Sequence, residues 1–276
     1  CSAIKNLSLE EAILLDNVRG VDDEFHPEKG KKNELYGLVE LADAYVNDAF
    51  SVCHREHASI VLLPRYLPSF AGKLLESEVD ALKRVKLKDC LYILAGAKPD
   101  DNMKLLKGNR VLACGLFGQI CLIAKGKNLG AQNDYLKKEI ENYDSVVKEL
   151  KKKLKNIETP VDFAVRFRGK RLEVPLEKFP NKFEIFDIGS KTIEKYVGEI
   201  KKARARYMKG PAGDCSKKQF CKGTYSLLRA SVSDDGFSLI GGGHLSDAIE
   251  NSGIPKKKFG HISLAGGALV SYMAGE

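Results

Sequence analysis

Phe237-Ser238-Leu239-Ile240 runs straight into Gly241-Gly242-Gly243-His244. A short apolar run that stops at glycines and opens a helical pattern reads as a buried strand followed by a tight turn. The same unit recurs along the chain. Leu91-Tyr92-Ile93-Leu94 leads into Ala95-Gly96-Ala97-Lys98, and Val111-Leu112-Ala113-Cys114 into Gly115-Leu116-Phe117-Gly118. Phe183-Glu184-Ile185-Phe186-Asp187 leads into Ile188-Gly189-Ser190, and His261-Ile262-Ser263-Leu264 into Ala265-Gly266-Gly267. Short buried strands alternating with helices predict an α/β fold: a mostly parallel, Rossmann-like sheet with helices on both faces. Ser190 is placed to cap a helix carrying Ile193, Val197 and Ile200 at helical spacing.

Moving outward, Val161 to Arg168 and Lys170 to Pro175 alternate polar and apolar residues around Gly169, which predicts an antiparallel hairpin appended to the sheet. Upstream, Leu67-Pro68-Ser69-Phe70-Ala71-Gly72-Lys73 precedes a long amphipathic stretch through Leu82, the pattern of a hinge between domains. Before it lie two strand candidates, Ala12 to Asn17 and Ala44 to Val46, too little for a domain by itself.

The chain has 276 residues and a net charge of +8, a balance that favours anionic partners. Lys148, Lys151, Lys152, Lys153 and Lys155 crowd one segment, as a solvated helix face or a binding surface. Aromatics do not interleave with basic residues as an RNA-binding sheet requires, so no nucleic-acid partner is expected. No stretch approaches the ~18 apolar residues of a membrane span. The first residue is Cys1 and not Met, which suggests a fragment or a processed form. The seven cysteines (Cys1, Cys53, Cys90, Cys114, Cys121, Cys215, Cys221) include no C-x-x-C pair. They predict buried thiols in a reducing cytoplasm, with neither a disulfide frame nor a zinc site.

Chemistry enters at the glycine turns. A strand that ends in glycine and opens a helix presents backbone N–H groups at a positive dipole end, where phosphate binds. Gly241-Gly242-Gly243 is the best such turn and Gly266-Gly267 the second. Neither a Walker A sequence nor a G-x-G-x-x-G fingerprint is present, which excludes P-loop enzymes and ordinary dinucleotide-binding dehydrogenases. Lys98, directly after its strand, can set an ammonium on transferring phosphate oxygens, or be a surface lysine. In Val46 to Ser59, His54, Arg55 and His57 can form an anion clamp, with Arg19 at another strand end; either histidine can equally be structural.

Taken together these segments resemble phosphoglycerate kinases, in particular the archaeal branch. The resemblance rests on Asp16-Asn17-Val18-Arg19, Tyr45-Val46-Asn47-Asp48-Ala49-Phe50, His54-Arg55-Glu56-His57-Ala58-Ser59, Ala71-Gly72-Lys73-Leu74-Leu75-Glu76-Ser77-Glu78, Gly96-Ala97-Lys98, Gly210-Pro211-Ala212-Gly213, Lys222-Gly223-Thr224, Gly241-Gly242-Gly243 and His261-Ile262-Ser263 with Gly266-Gly267-Ala268. It implies a two-domain hinge-bending kinase that moves a phosphoryl group between ATP/ADP, with Mg²⁺, and 3-phosphoglycerate / 1,3-bisphosphoglycerate, as a cytoplasmic monomer. On that resemblance residues 1–68 are part of a phosphoglycerate-binding domain, 69–88 a hinge helix, 89–260 the nucleotide domain and 261–276 a segment returning toward the hinge. Arg19, His54 and Arg55 would hold phosphoglycerate. Lys98 would stabilise the transferring group, and Gly266 and Gly267 would start a helix aimed at it. Gly96, Ala97, Gly115, Phe186, Gly210, Pro211, Gly241, Gly242, Gly243 and His244 would surround the nucleotide.

The sequence also departs from the family pattern. The family's Arg-x-Asp-x-Asn and His-x-Gly-Arg-Pro segments are absent from these residues. Asn102 stands where many members have a second lysine, Lys209 where they have asparagine, Ser216 where they have glutamate, and His244 where they have an aspartate linked to the Mg²⁺-nucleotide. Two readings follow: a kinase whose 276 residues alone bind adenine nucleotide but turn over poorly, or a relative that holds nucleotide without transfer. A basic nucleic-acid binder is the third reading, prompted by charge alone.

Overall fold

The computed structural model describes residues 2–85 and 89–276; Cys1 and residues 86–88 of the expected hinge helix lie outside the described residues. The chain divides into two units, Cys1–Asp80 and Ala81–Glu276.

The first unit contains helix α1 (Ser2–Lys5), strands β1 (Tyr45–Asn47) and β2 (Ser69–Ala71), and the start of α2 (Lys73–Lys83). Short 3-10 segments, the longest Glu34–Leu41, and a π turn at Ala58–Leu62 make up much of the rest. β1 and β2 pair in parallel, Val46 opposite Phe70. The strand expected over Ala12 to Asn17 does not form: residues 11–17 carry no regular structure and are all exposed. With no core face to bury, its apolar residues have nothing to pair against. A small apolar cluster joins Leu35, Ala58 and Leu62, and two buried carboxylates, Asp23 and Glu24, bind the chain beside it. Glu24 accepts the Ser59 N–H at 2.9 Å, and Asp23 the Glu34 N–H at 2.7 Å. Asp48 accepts the Leu75 N–H at 2.8 Å, satisfying one free amide in the first turn of α2.

The second unit is built on six parallel strands: β3 (Cys90–Leu94), β4 (Arg110–Ala113), β5 (Ile157–Glu158), β9 (Ala205–Lys209), β10 (Phe237–Gly241) and β11 (His261–Ser263). Their spatial order is β11-β10-β9-β3-β4-β5. Every residue of β3 is buried, as a strand covered on both faces demands. One face meets Ile193, Tyr196 and Ile200 of α7 (Ser190–Lys202), Leu227 of α8 (Lys222–Ser231) and Leu245 of α9 (Gly243–Ser252). The remaining helices are α3 (Pro99–Lys104), α4 (Gly115–Ala124), α5 (Ala131–Glu139), α6 (Tyr143–Leu150) and α10 (Gly267–Ala274). On the opposite face Tyr92 and Tyr207 meet edge to face, with ring centroids 5.8 Å apart.

Two expectations change here. The hairpin forms as β6 (Asp162–Phe167) and β7 (Lys170–Pro175), but with β8 (Ile185–Ile188) it makes a separate three-stranded antiparallel sheet. The run Phe183 to Asp187 was expected in the parallel sheet. Its apolar side chain Ile185 instead joins Phe163, Val165 and Val174 in a second core against Leu122 of α4. Conversely β9 is a central strand that apolar pattern does not announce. Arg206 in its middle is fully buried, its guanidinium paired with Asp234 and donating to the Ala230 carbonyl at 3.3 Å.

Ser190 is also not the cap of α7. It is the first helical residue, and the Asp162 carboxylate reaches across from β6 to accept the N–H groups of Lys191 (3.0 Å) and Thr192 (2.8 Å). A cap supplied from a neighbouring strand leaves no local sequence signature. No helix among the described residues is long and apolar enough to cross a membrane.

Candidate functional site

Parallel strands all end at one edge, and β3 is where the chain's winding reverses: β4 and β5 lie to one side of it, β9, β10 and β11 to the other. Ligands of open parallel sheets bind beyond the strand ends at such a reversal. Here the reversal separates the turn after β3 (Gly96, Ala97, Lys98) from the turn after β9 (Gly210, Pro211). The two turns touch, since a Cβ on Gly210 would stand 2.9 Å from the Ala95 carbonyl carbon; the turn after β4 joins them, a Cβ on Gly115 standing 2.8 Å from the Pro211 oxygen. Both glycines also have positive φ, 79° and 54°, so the close approach and the backbone conformation each require glycine.

At this edge opens a cavity of about 400 Å³. Gly96, Ala97, Gly115, Phe186, Pro211 and His244 line it, so six of the sequence-predicted residues come together. Lys98, Gly210, Gly241, Gly242, Gly243, Gly266 and Gly267 lie at the same sheet edge, outside its wall. A neighbouring groove of about 450 Å³ shares Pro211, Gly213, Asp214 and His244 with it and continues to Asp247 of α9. The Gly242 N–H is not free, since it donates to the Ser263 carbonyl at 3.1 Å. The open amides of that turn belong to the first helical residues, Gly243 and His244.

The far wall comes from the small sheet and the loop after β9. Phe186 stacks on Phe220 with centroids 4.8 Å apart, and the Lys217 ammonium sits 4.9 Å from the Phe186 ring centre. The Asp214 N–H donates to the Phe186 carbonyl at 2.7 Å, and Lys217 pairs with the Asp214 carboxylate. Thr224 holds the loop from beneath, accepting the Ala212 N–H at 3.0 Å. A disulfide joins Cys215 to Cys221 within this loop, which corrects the expectation of thiols throughout. The loop folds back on itself, and residues six apart meet in a way spacing alone does not reveal. Cys90, Cys114 and Cys121 are buried thiols as expected; burial pushes those of Cys90 and Cys121 up to about 12.

Asp187 anchors the junction of β8 with α8. It accepts the N–H of Gly223 at 2.9 Å and pairs with Arg171 at 2.7 Å. Burial nevertheless pushes its carboxyl up to about 6. Two departures from the family pattern turn out to be contacts of each other. The Lys209 ammonium donates to Asn102 Oδ1 at 3.1 Å and faces Asp101 at 3.5 Å, while Asn102 Nδ2 donates to the Ala95 carbonyl at 3.0 Å. Burial lowers the Lys209 pKa against the pull of Asp101, and the nearby Lys98 charge lowers it further. Lys209 thus stands beside Lys98.

Arg19, His54 and Arg55 belong to the first unit. Arg19 is exposed in a 3-10 turn capped by Asn17, His54 is exposed and Arg55 half-buried. His57 is taken up structurally: its ring faces Glu24 at 3.6 Å and meets Phe25 edge to face. Sequence reasoning missed Gln119, Gln132, Tyr135, Glu184 and Lys217 of the cavity wall. The one available signal was that Gln119 follows Gly115 by four residues on α4 and so shares its face.

Comparison with known proteins agrees with this geometry. The phosphoglycerate kinase family model matches residues 1–276. The chain is 38% identical over 291 residues to the phosphoglycerate kinase of Methanothermus fervidus, covering 99% of this chain and 70% of that one. It is 36% identical over 289 residues to that of Archaeoglobus fulgidus, with the same two coverages. Among solved structures, the phosphoglycerate kinase of Pyrococcus horikoshii superposes with a TM-score of 0.87 at 34% identity, covering 100% of this chain and 73% of that one. The Coxiella burnetii enzyme gives 0.74 at 26% identity, covering 92% and 67%. A match along the whole chain, and a parallel sheet whose reversal point opens a glycine-lined cavity, lead to one conclusion: the chain belongs to the phosphoglycerate kinase family.

Proposed function

We propose that the chain binds an adenine nucleotide, ATP or ADP, across the C-terminal edge of the parallel sheet and serves reversible phosphoryl transfer between it and 3-phosphoglycerate, the phosphorylated product being 1,3-bisphosphoglycerate. The observation that carries this reading is the meeting of the β3 and β9 turns at the sheet's reversal point, beside a cavity closed by Phe186. The base and ribose occupy the cavity; the phosphates run along the edge toward the open amides of Gly243, His244 and the start of α10 at Gly267. Lys98 and Lys209 bring two ammonium groups to the edge where negative charge is redistributed during transfer. Arg19, His54 and Arg55 of the first unit recognise the phosphoglycerate, with arginine forks suited to phosphate and carboxylate. Residues 1–68, 69–88, 89–260 and 261–276 keep their proposed division into substrate domain, hinge, nucleotide domain and returning segment. The protein is proposed to act as a cytoplasmic monomer.

Mg²⁺ travels with nucleotide phosphates and needs only one or two protein carboxylates. His244 is a poor ligand for so hard a cation, but Asp247, one turn along α9 and lining the outer groove, supplies an oxygen donor. When bound, the ion would neutralise phosphate charge.

Calorimetric titration with ADP and ATP tests the reading, and absence of binding overturns it. In a coupled assay with 3-phosphoglycerate, Lys98→Ala should lower kcat by roughly 100-fold while changing nucleotide affinity far less. Unchanged kcat removes Lys98 from the mechanism.

A further inference from the structure

The inner wall of the cavity holds a hydrogen-bond donor that the protein itself does not use. Gln119 and Gln132 both line the cavity and are 4% and 1% exposed. Gln132 Oε1 accepts the Ile185 N–H at 2.9 Å. That contact fixes the orientation of the Gln132 amide, because the Ile185 N–H can meet only an acceptor. The Gln132 Nε2 then donates to Gln119 Oε1 at 2.7 Å. The relay of hydrogen bonds ends at Gln119 Nε2. Turning that amide over would set two NH₂ groups against each other, so the nitrogen is the free end. Among the described residues none accepts from it. The side chain is buried but this nitrogen opens onto the cavity, where a ligand acceptor would meet a donor already oriented by the two amides.

The location indicates which part of the ligand. Phosphate-binding amides lie at the sheet edge, whereas Gln119 sits a full helical turn beyond Gly115 along α4. The walls around it, Leu116, Ile185 and Phe186, suit a flat ring. Resting on the nucleotide reading above, we propose that Gln119 is a specificity-determining residue for the nucleobase: its amide donates to an in-plane acceptor of a purine, and Gln132 is the positioning residue that presents it.

The test is calorimetric titration of the chain with ADP and, separately, with inorganic tripolyphosphate, which has phosphates but no base. Gln119→Leu should weaken ADP by about 10-fold, the equivalent of one hydrogen bond, and leave tripolyphosphate unchanged. Gln119→Glu keeps the shape but replaces the donors by acceptors, and should lose at least as much ADP affinity, which guards against a folding defect in the leucine variant. Gln132→Leu, which frees the amide to rotate, should weaken ADP less than Gln119→Leu. Wild-type affinity for ADP in both Gln119 variants overturns the proposal, as does equal weakening of ADP and tripolyphosphate. Failure of the wild-type chain to bind ADP overturns the nucleotide reading itself.

Discussion

In the six-stranded parallel sheet, the strands flanking the reversal point end in turns of small residues, and what they offer a ligand is backbone. In the three-stranded antiparallel sheet, β8 and its approach offer side chains and a wall: Glu184, Ile185 and Phe186. Both border the same cavity. Parallel strands must end together at one edge, so glycine turns accumulate there and create a generic seat for phosphate. The antiparallel sheet is held by its own core around Phe163 and Ile185 and is free to differ without disturbing that seat. On the proposed function, the phosphate end of the site would follow from topology, while the base end would depend on particular side chains.

The sharpest way to break this division is at Asp187, where the small sheet is tied to α8. Asp187→Ala should destabilise the chain by about 2–4 kcal/mol, because it strands the N–H groups of Gly223 and Ile188 and takes from Arg171 one of its two carboxylates. Urea unfolding checks this. The pH dependence sharpens it. The folded carboxyl titrates at about 6 and the unfolded one near 3.8, so between those values the folded state holds a proton that the unfolded state has released. Stability from this group is therefore full below 3.8 and falls as pH rises to about 6. In Asp187→Asn that slope should vanish, and a slope equal to wild type contradicts the assignment.

An intermediate effect is expected on the parallel side. Gly210→Ala forces a side chain into a left-handed conformation and onto the Ala95 carbonyl, at about 1–2 kcal/mol or more. The β9 turn would be pushed from the β3 turn, so ADP affinity should drop along with the midpoint of urea unfolding. Retained affinity would show that the meeting of these turns is not what forms the seat. The smallest effect belongs to the basic segment. Lys151 is exposed, like Lys148, Lys152, Lys153 and Lys155, and Lys151→Ala should change stability by less than about 0.5 kcal/mol and nucleotide binding not at all. Tight, salt-sensitive binding of DNA that this change weakens would instead revive a nucleic-acid role.

Much of this was legible. The runs at Leu91, Val111, Phe237 and His261 became β3, β4, β10 and β11, since a strand buried on both faces must be apolar throughout. The turns after them placed Gly96, Ala97, Gly115 and His244 of the cavity wall in advance. β9 escaped because the burial of Arg206 depends on Asp234, a partner 28 residues away. Gln119 and Gln132 escaped because a buried glutamine has no periodic signature and takes its meaning from contacts with distant segments. The Cys215–Cys221 bond and the Asp162 cap on α7 escaped for the same reason.

By itself the sequence determined the strand–turn–helix repeat, the positions where only glycine serves, and the family to which the segments are similar, because these are written in local residue order and need no partner. The tertiary structure alone decided which strand left the parallel sheet, which lysine stands beside Lys98, and which amide faces the cavity. Those outcomes depend on burial and hydrogen bonding between residues far apart in the chain, and such contacts exist only once the chain has closed on itself.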